Sequence, residues 1–175
     1  FGDVKLAANQ VLLQFLHIAA HGLDGFAFAA ETLVGQAFGR KDRIILRKSV
    51  KVTSRLAFLL CCLIAIIFLS LGPSLIDLMT TAEDVRSEAK RYIVFIVLVP
   101  ILGVSAYMLD GIFVGAMKTK DMRNMMFVSL IFYVLALIIL VPHFENVGLW
   151  LALLLSFVVR GVTLGLRYPN LEKMI

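Results

Sequence analysis

Residues 56–76 read LAFLLCCLIAIIFLSLGPSLI, a run that contains no charged side chain. Because a helix rises 1.5 Å per residue, such a run is long enough to cross the roughly 30 Å hydrocarbon core of a bilayer. Four further runs are comparably apolar. The five candidate helices occupy residues 11–39, 56–76, 92–117, 124–142 and 147–167. The sequence therefore predicts an all-α integral membrane fold with five transmembrane helices.

The composition of the chain agrees with lipid as its solvent. Of the 175 residues, 61% are hydrophobic, whereas a soluble domain is nearer one half. The net charge of +5 does not indicate a nucleic-acid partner, because the basic residues cluster in short segments between apolar runs. Cys61 and Cys62 are adjacent within an apolar run, which favours two small buried side chains over a metal site or a disulfide.

The charges of the connections predict the orientation in the membrane. Residues 39–55 hold seven basic residues against one acid, and residues 118–123 hold three against one. By the positive-inside rule both connections should face the cytoplasm. The alternate connections, 77–91 and 143–148, together hold five acids against three bases. We therefore expect a multi-pass protein of the inner or plasma membrane with a cytoplasmic C-terminus and with Phe1 outside.

Local signals predict where the helices begin and end. Thr81 is expected to cap the third helix, with acidic residues in the first turn. Pro142 and Pro169 are expected to end the fourth and fifth helices. Pro100 falls inside the third helix, where it predicts a kink that is either a hinge or a fixed bend.

The first helix carries a stripe of mostly polar residues. Their spacing alternates between four and three, which places all of them on one helix face. Charged groups cost several kcal/mol against lipid, so this face should line a water-filled cavity or a protein interior. A polar seam between helices is the alternative. The stripe consists of Gln10, Gln14, His17, His21, Asp24, Phe28 and Glu31.

Three charges are predicted at similar depth. Counted from the basic residue that ends each helix, Glu31, Asp110 and Arg160 lie roughly 10–14 Å above the cytoplasmic end. Arg160 shares a face with Ser156 and Thr163. We predict that Arg160 is the counter-ion of Glu31 or Asp110, and the alternative is an arginine that snorkels to the headgroups.

Two enzymatic interpretations have little support in the residues. His17 and His21 have the spacing of a helical zinc site, but Ile18 stands where a metalloprotease needs a glutamate. The histidines are better suited to proton handling or cavity polarity, because imidazole titrates near neutral pH. Asp24 and Asp110 could together form an aspartyl intramembrane protease, but neither lies in a Gly-x-Gly-Asp setting.

Four segments carry a resemblance to a known family. They are residues 6–10 (LAANQ), 23–27 (LDGFA), 31–39 (ETLVGQAFG) and 109–116 (LDGIFVGA). They resemble the multidrug and toxic compound extrusion (MATE) transporters, specifically the DinF-like branch. The match covers essentially the whole chain and implies the eighth to twelfth helices of a twelve-helix transporter. The chain would then be part of the carboxyl-terminal lobe, with a truncated amino terminus.

The resemblance implies a membrane antiporter and not an enzyme. Such a protein exports organic, often cationic, compounds by alternating access between two six-helix lobes, in exchange for protons or sodium, without a metal or other cofactor. The implied partners are membrane lipid, small organic substrates and the missing amino-terminal lobe, with no nucleic acid. The Asp of the tenth helix that the NorM-like branch uses falls on Ala106, so a sodium site at Asp110 is a hypothesis from burial and depth alone.

The predicted substrate and cation cavity combines five polar residues of the stripe with three further residues. Aromatic surface for organic cations could come from Tyr107, Tyr133 and Phe28. A flippase-like exporter of a lipid-linked precursor remains an alternative, but it needs several basic residues in the cavity and Arg160 alone is apparent. A non-transporting membrane subunit is a further alternative. The cavity candidates are Gln14, His17, His21, Asp24, Glu31, Tyr107, Asp110 and Arg160.

Overall fold

The computed structural model describes residues 2–174, and within them the chain forms four α-helices and no β-strand. Helix α1 spans Asp3–Arg40, α2 spans Arg43–Met79, α3 spans Glu83–Gly115 and α4 spans Thr119–Glu172. All four are long and apolar enough to cross a membrane. The predicted all-α class is therefore confirmed. The predicted outer position of Phe1 lies outside the described residues.

Helix α4 covers the region of the predicted fourth and fifth helices and folds back on itself. Its 54 residues are two helical segments joined at Glu145, which has φ 47° and ψ −123° and is not helical. Near its two ends, Arg167 Nη1 lies 2.8 Å from Asp121 Oδ1. A straight helix would separate these two residues by about 70 Å. Helix α4 therefore has two arms that lie side by side: the first arm is residues 119–144 and the second arm is residues 146–172.

Three prolines lie within α3 and α4. Pro142 and Pro169 both lie inside α4, which continues to Glu172, and Pro100 lies inside α3. A proline removes one backbone donor, and transmembrane helices tolerate that loss because neighbouring groups compensate. Pro142 lies three residues before the break at Glu145, and Pro169 lies in the last turn of α4. The reversal of the chain comes at Glu145.

The connection between α1 and α2 is tight and capped. Lys41 adopts a left-handed conformation with φ 53°, which turns the chain out of α1. The Asp42 carboxylate then accepts hydrogen bonds from the backbone N–H groups of Ile44 and Ile45, both at 2.9 Å. These bonds satisfy two of the unpaired donors at the start of α2.

The connection between α2 and α3 differs from the prediction. Helix α3 begins at Glu83, and its N-cap is Ala82, which makes no side-chain hydrogen bond. The prediction that Thr81 caps this helix is wrong, because Ala82 holds the extended position directly before the first turn. The predicted acids are in that turn, where they face the positive end of the helix dipole.

Helix α3 lies at the centre of the fold and packs against each of the other three helices. Two buried apolar clusters result, one toward each end of the bundle. Leu23, Val34 and Phe113 belong to the cluster near the basic connections, and Phe15 and Trp150 belong to the other. Cys61 is buried in the first cluster, as expected for a small apolar side chain, and both cysteines are free thiols.

The outward faces of the helices are apolar as well. Ile66, Leu69 and Ile138 are exposed by 63%, 63% and 65%. Soluble proteins rarely expose large contiguous apolar surface, whereas lipid solvates it. The outer surface therefore fits a protein that is surrounded by a bilayer.

Helices α1 and α3 approach each other closely through two glycines. A Cβ atom on Gly111 would lie 2.9 Å from the carbonyl carbon of Ala27, and one on Gly115 would lie 2.9 Å from Glu31 Cα. Both distances are shorter than side chains adopt, and the opposing atoms belong to backbone that cannot swing aside. The Gly111-x-x-x-Gly115 pair thus forms a small-residue helix contact of the kind common in membranes.

Gly111→Ala should destabilise the protein by about 2 kcal/mol, because the added methyl group must push α1 and α3 apart. Gly25→Ala is the matched control, since Gly25 ends the same Leu-Asp-Gly triplet on α1 and a Cβ there would meet no atom within 4 Å. It should change the stability by at most about 1 kcal/mol, and toward greater stability. Thermal unfolding of the full-length protein in detergent measures both. Equal melting temperatures for the two variants would contradict the close approach.

Candidate functional site

An ion pair joins α3 to the second arm of α4 inside the apolar part of the bundle. Arg160 Nη2 lies 2.5 Å from Asp110 Oδ2, and Arg160 Nε donates a hydrogen bond to Asp110 Oδ1 at 3.2 Å. The two side chains are 24% and 19% exposed. This forked geometry is the strong form of an arginine–carboxylate contact. Of the two acids predicted as counter-ions, Asp110 is the one that contacts Arg160.

The helix packing around this pair explains its position. Gly161, which follows Arg160, packs so tightly on α3 that a Cβ there would lie 3.1 Å from Ser105 Cβ. On α3, Gly111 faces α1, and the preceding residue is rotated by about 100° around the helix. Asp110 is therefore turned toward α4 by the same packing that presses Gly111 against α1.

Two further predicted residues belong to the surroundings of the ion pair. Tyr107 lies one turn before Asp110, and its ring packs against Phe157 with 5.9 Å between the ring centroids. Asp24 of α1 is close enough for its charge to act on both Asp110 and Tyr107. The structure therefore brings together four predicted residues, one from α1, two from α3 and one from α4.

Glu31 is not part of this cluster, and its predicted depth is wrong relative to Asp110. Its backbone lies against Gly115, the last residue of α3, whereas α1 continues to Arg40. The predicted depths count from the basic residue that ends each helix, but the two helices end at different levels. Asp110 therefore lies about one turn further than Glu31 from the end of the bundle that carries the basic connections.

The polar stripe of α1 lies on a face that the other described helices do not cover. The opposite face of α1, which includes Leu12, Ala19 and Val34, is buried in the bundle. His21 Nδ1 lies 2.6 Å from the carbonyl oxygen of His17, so this ring is held against its own helix. Five stripe residues are exposed and two are half-buried. The exposed ones are Gln10, Gln14, His17, His21 and Phe28, and the half-buried ones are Asp24 and Glu31.

A buried polar cluster near the opposite end of the bundle is absent from the sequence-based prediction. Asn9 Nδ2 donates to Asn146 Oδ1 at 2.7 Å, and Asn146 Nδ2 donates back to Asn9 Oδ1 at 3.0 Å. Trp150 Nε1 donates to the same Asn9 oxygen at 3.0 Å. Lys5 pairs with Glu145 beside it. The available signal was a polar Asn9 among the small and apolar residues of 6–9, but its partners lie about 140 residues away in sequence.

A groove of about 490 Å³ between the two arms of α4 is likewise absent from the prediction. Arg123 and Arg160 both line it, together with Tyr133, Ser129 and Ser156. Two positively charged side chains therefore line this groove, although no residue of α1 does. The sequence assigns Arg123 to the cytoplasmic connection, and only the folding back of α4 places it beside the second arm.

The enzymatic interpretations gain nothing from the geometry. Within residues 2–174, no three His, Cys, Asp or Glu side chains converge as metal ligands. Asp110, which an aspartyl protease would need beside Asp24, is engaged by Arg160.

Fold and composition define a multi-pass α-helical membrane protein that holds an ion pair among its apolar helices. The sequence model of the MatE family matches residues 1–140, and the chain belongs to this family. The chain is 36% identical over 163 residues, 93% of its length, to DNA damage-inducible protein F of Escherichia coli (strain K12). The matched region is 35% of that relative, so the chain spans about a third of it. The predicted DinF-like relationship is confirmed.

Asn9→Leu should lower the free energy of unfolding by about 2–3 kcal/mol, because it leaves the buried Asn146 amide and the Trp150 N–H without partners. Gln10→Leu is the control, since Gln10 is the exposed neighbour on the same helix. Thermal unfolding in detergent gives the difference. A Gln10→Leu variant that melts as early as the Asn9→Leu variant would show that the amide cluster adds no stability.

Proposed function

We propose that this chain is part of the carboxyl-terminal lobe of a MATE-type transporter that exports organic cations in exchange for protons or sodium. Family membership favours a transporter over an enzyme. The observation that carries the proposal is the Asp110–Arg160 pair, which is largely buried among apolar helices. Charges at such depth are costly and usually mark a substrate or ion pathway.

Five membrane crossings fit the fold of α4. Each arm exceeds the roughly 20 residues that a crossing requires, and the chain reverses at Glu145 between them. The basic connections at Lys41 and Lys118 then lie on one side of the membrane. Arg47 binds Glu172 near the end of the chain, so the C-terminal part of α4 lies on that side as well. The positive-inside rule assigns this side to the cytoplasm of the inner or plasma membrane.

The stripe of α1 supports a cationic substrate. It carries Asp24 and Glu31 but no lysine or arginine, so its field attracts positive charge. The amino-terminal lobe would face it across a central cavity, and alternating access would expose that cavity to each side of the membrane in turn. Phe28, which is 65% exposed on this face, offers an aromatic surface for organic cations.

The ion pair offers a means of coupling. The Asp110 carboxylate can be neutralised by Arg160 or by an incoming proton or sodium ion. Because these partners compete for the same oxygens, binding of the ion would release Arg160 from α3. Removal of one partner of a buried pair costs about 3–5 kcal/mol, which is enough to favour a different arrangement of α3 and α4.

Asp110→Asn and Arg160→Gln should each reduce ethidium export by the full-length protein at least tenfold, because each abolishes the exchange of partners at the carboxylate. Asp121→Asn is the matched control, since Asp121 pairs with Arg167 at the cytoplasmic end and exposed pairs contribute little. Proteoliposomes with separate proton and sodium gradients measure export and identify the coupling ion. Circular dichroism and thermal unfolding confirm that each variant is folded.

The double variant Asp110→Arg with Arg160→Glu tests whether the contact or the carboxylate matters. It keeps the ion pair but moves the acid to α4. It should therefore restore the folding stability that the single variants lose and recover part of their lost export. Full export by Asp110→Asn under both gradients would contradict the coupling role. Absence of ethidium export from the unmodified protein under either gradient would contradict the proposed function itself.

A second candidate is a flippase-like exporter of a lipid-linked precursor, which the groove between the arms of α4 supports. Its two arginines could hold phosphate, although Arg160 is already engaged by Asp110. Arg123→Gln separates the two functions. It should leave ethidium export within about twofold of the unmodified protein, whereas loss of a phosphate ligand should reduce movement of a fluorescent lipid-linked diphosphate at least tenfold. Proteoliposome assays of both probes with the same variant measure the contrast.

A further inference from the structure

Helix α2 begins well before its apolar run. Residues 43–55 extend it by about 20 Å, and this extension contains no acidic residue. It carries five basic residues, all of which are exposed. They are Arg43, Arg47, Lys48, Lys51 and Arg55. The extension is thus a positively charged surface that leads directly into the membrane-spanning part of α2.

Four of these basic residues follow each other at intervals of four and so run along one side of the helix. The first two are engaged by α4, since Glu172 Oε2 lies 2.9 Å from Arg47 Nη2 and 3.6 Å from Arg43 Nη2. Among the ion pairs of residues 2–174, none involves Lys51 or Arg55. Lys48, which lies outside this row of four, is also absent from these pairs. Within the row, the charge that remains available is at the end of the extension nearest the membrane.

An apolar groove opens next to these two residues. Helices α2 and α4 both pack on α3 but have few contacts with each other, which leaves a channel of about 360 Å³ between them. Val104, Met108 and Ile112 of α3 form its floor, and Phe58 and Gly165 form its sides. The groove is partly open to the outer surface of the described helices.

The charged surface and the groove are continuous. Ser54 lines the apolar groove, and it also lines a shallower depression that Arg55 and Phe58 share. Lys51 lies one turn before Arg55 on the same side of α2. A ligand with its tail among the α3 side chains would therefore present its headgroup to Lys51, Ser54 and Arg55.

We propose that this groove binds an anionic phospholipid of the leaflet that contacts the basic connections. An acyl chain fills the space between α2 and α4, and the phosphate binds Lys51 and Arg55. The positive charge selects an anionic headgroup over a zwitterionic one, and the apolar groove selects a lipid over a free phosphate. Assignment to the cytoplasmic leaflet rests on the proposed orientation. Binding itself rests on neither the orientation nor the transport function.

Native mass spectrometry of the delipidated full-length protein tests the proposal with two lipids of equal chain length. Phosphatidylglycerol should bind about tenfold more tightly than phosphatidylcholine. Lys51→Gln combined with Arg55→Gln should weaken phosphatidylglycerol binding about tenfold and leave phosphatidylcholine binding unchanged. Lys118→Gln combined with Lys120→Gln is the control, because it removes the same charge at the other basic connection and should have little effect.

Gly165→Phe tests the groove without changing the charge. A Cβ on Gly165 would lie 3.9 Å from Leu109 Cδ1, an ordinary contact, so the backbone accepts a side chain that then fills the groove. This variant should weaken the binding of both lipids at least fivefold. Gly165→Leu is the smaller alternative if the melting temperature of the phenylalanine variant falls. The isolated headgroup, glycerophosphoglycerol, should bind at least a hundredfold more weakly than the lipid.

Three results would overturn the proposal. If the Lys118→Gln and Lys120→Gln control weakened phosphatidylglycerol binding equally, the preference for the anionic lipid would come from the net charge of the protein and not from this groove. Unchanged binding in both Gly165 variants would place the lipid outside the groove. A headgroup that binds as tightly as the intact lipid would define a phosphate site instead. Because export is not the readout, failure of the proposed transport function would leave these results unaffected.

Discussion

The contact between α1 and α3 is the constraint on which the rest of the structure depends. Gly111 and Gly115 have no side chains, so the backbone of α3 rests directly on Ala27 and Glu31 of α1. Helices in lipid gain no hydrophobic energy from association, and close packing of this kind is a main source of their attraction. The contact also fixes the rotation of α3. Because Gly111 must face α1, Asp110 is turned toward α4, where Arg160 can reach it.

Two polar contacts hold α4 to this pair of helices at different levels. The Asn9–Asn146 amide pair fastens the reversal of α4 to α1, and the Asp110–Arg160 pair fastens the second arm to α3. Loss of either contact would destabilise the protein, because it would leave a polar group without a partner in an apolar interior. They differ in one respect that bears on function. The amides are neutral and mutually satisfied, whereas the carboxylate is charged, and in the proposed function it would exchange its arginine for a proton or a cation.

The stripe on α1 and the partner of Arg160 show how far the sequence could predict the site. Alternating spacings of four and three placed the stripe on one face, and helix geometry alone guarantees that result. The same geometry limited the partner of Arg160 to two acids but could not choose between them. The choice depends on where α1 ends relative to α3, and no feature within either helix encodes that offset. The roles of Arg123 and Asn146 could not be predicted, because a predicted reversal between residues 142 and 147 does not tell which side chains of the two arms and of α1 meet.

The sequence by itself determined that the chain is helical, apolar on its outer faces and basic on one set of connections, because periodicity and hydropathy are local properties. Tertiary structure decided which polar groups meet. Gly25 and Gly111 each end a Leu-Asp-Gly triplet. A Cβ on Gly25 would meet no atom within 4 Å, whereas one on Gly111 would clash with the backbone of Ala27. The difference arises because a residue's neighbours on other helices depend on how those helices are rotated and offset, and these quantities are set by packing and not by the local sequence.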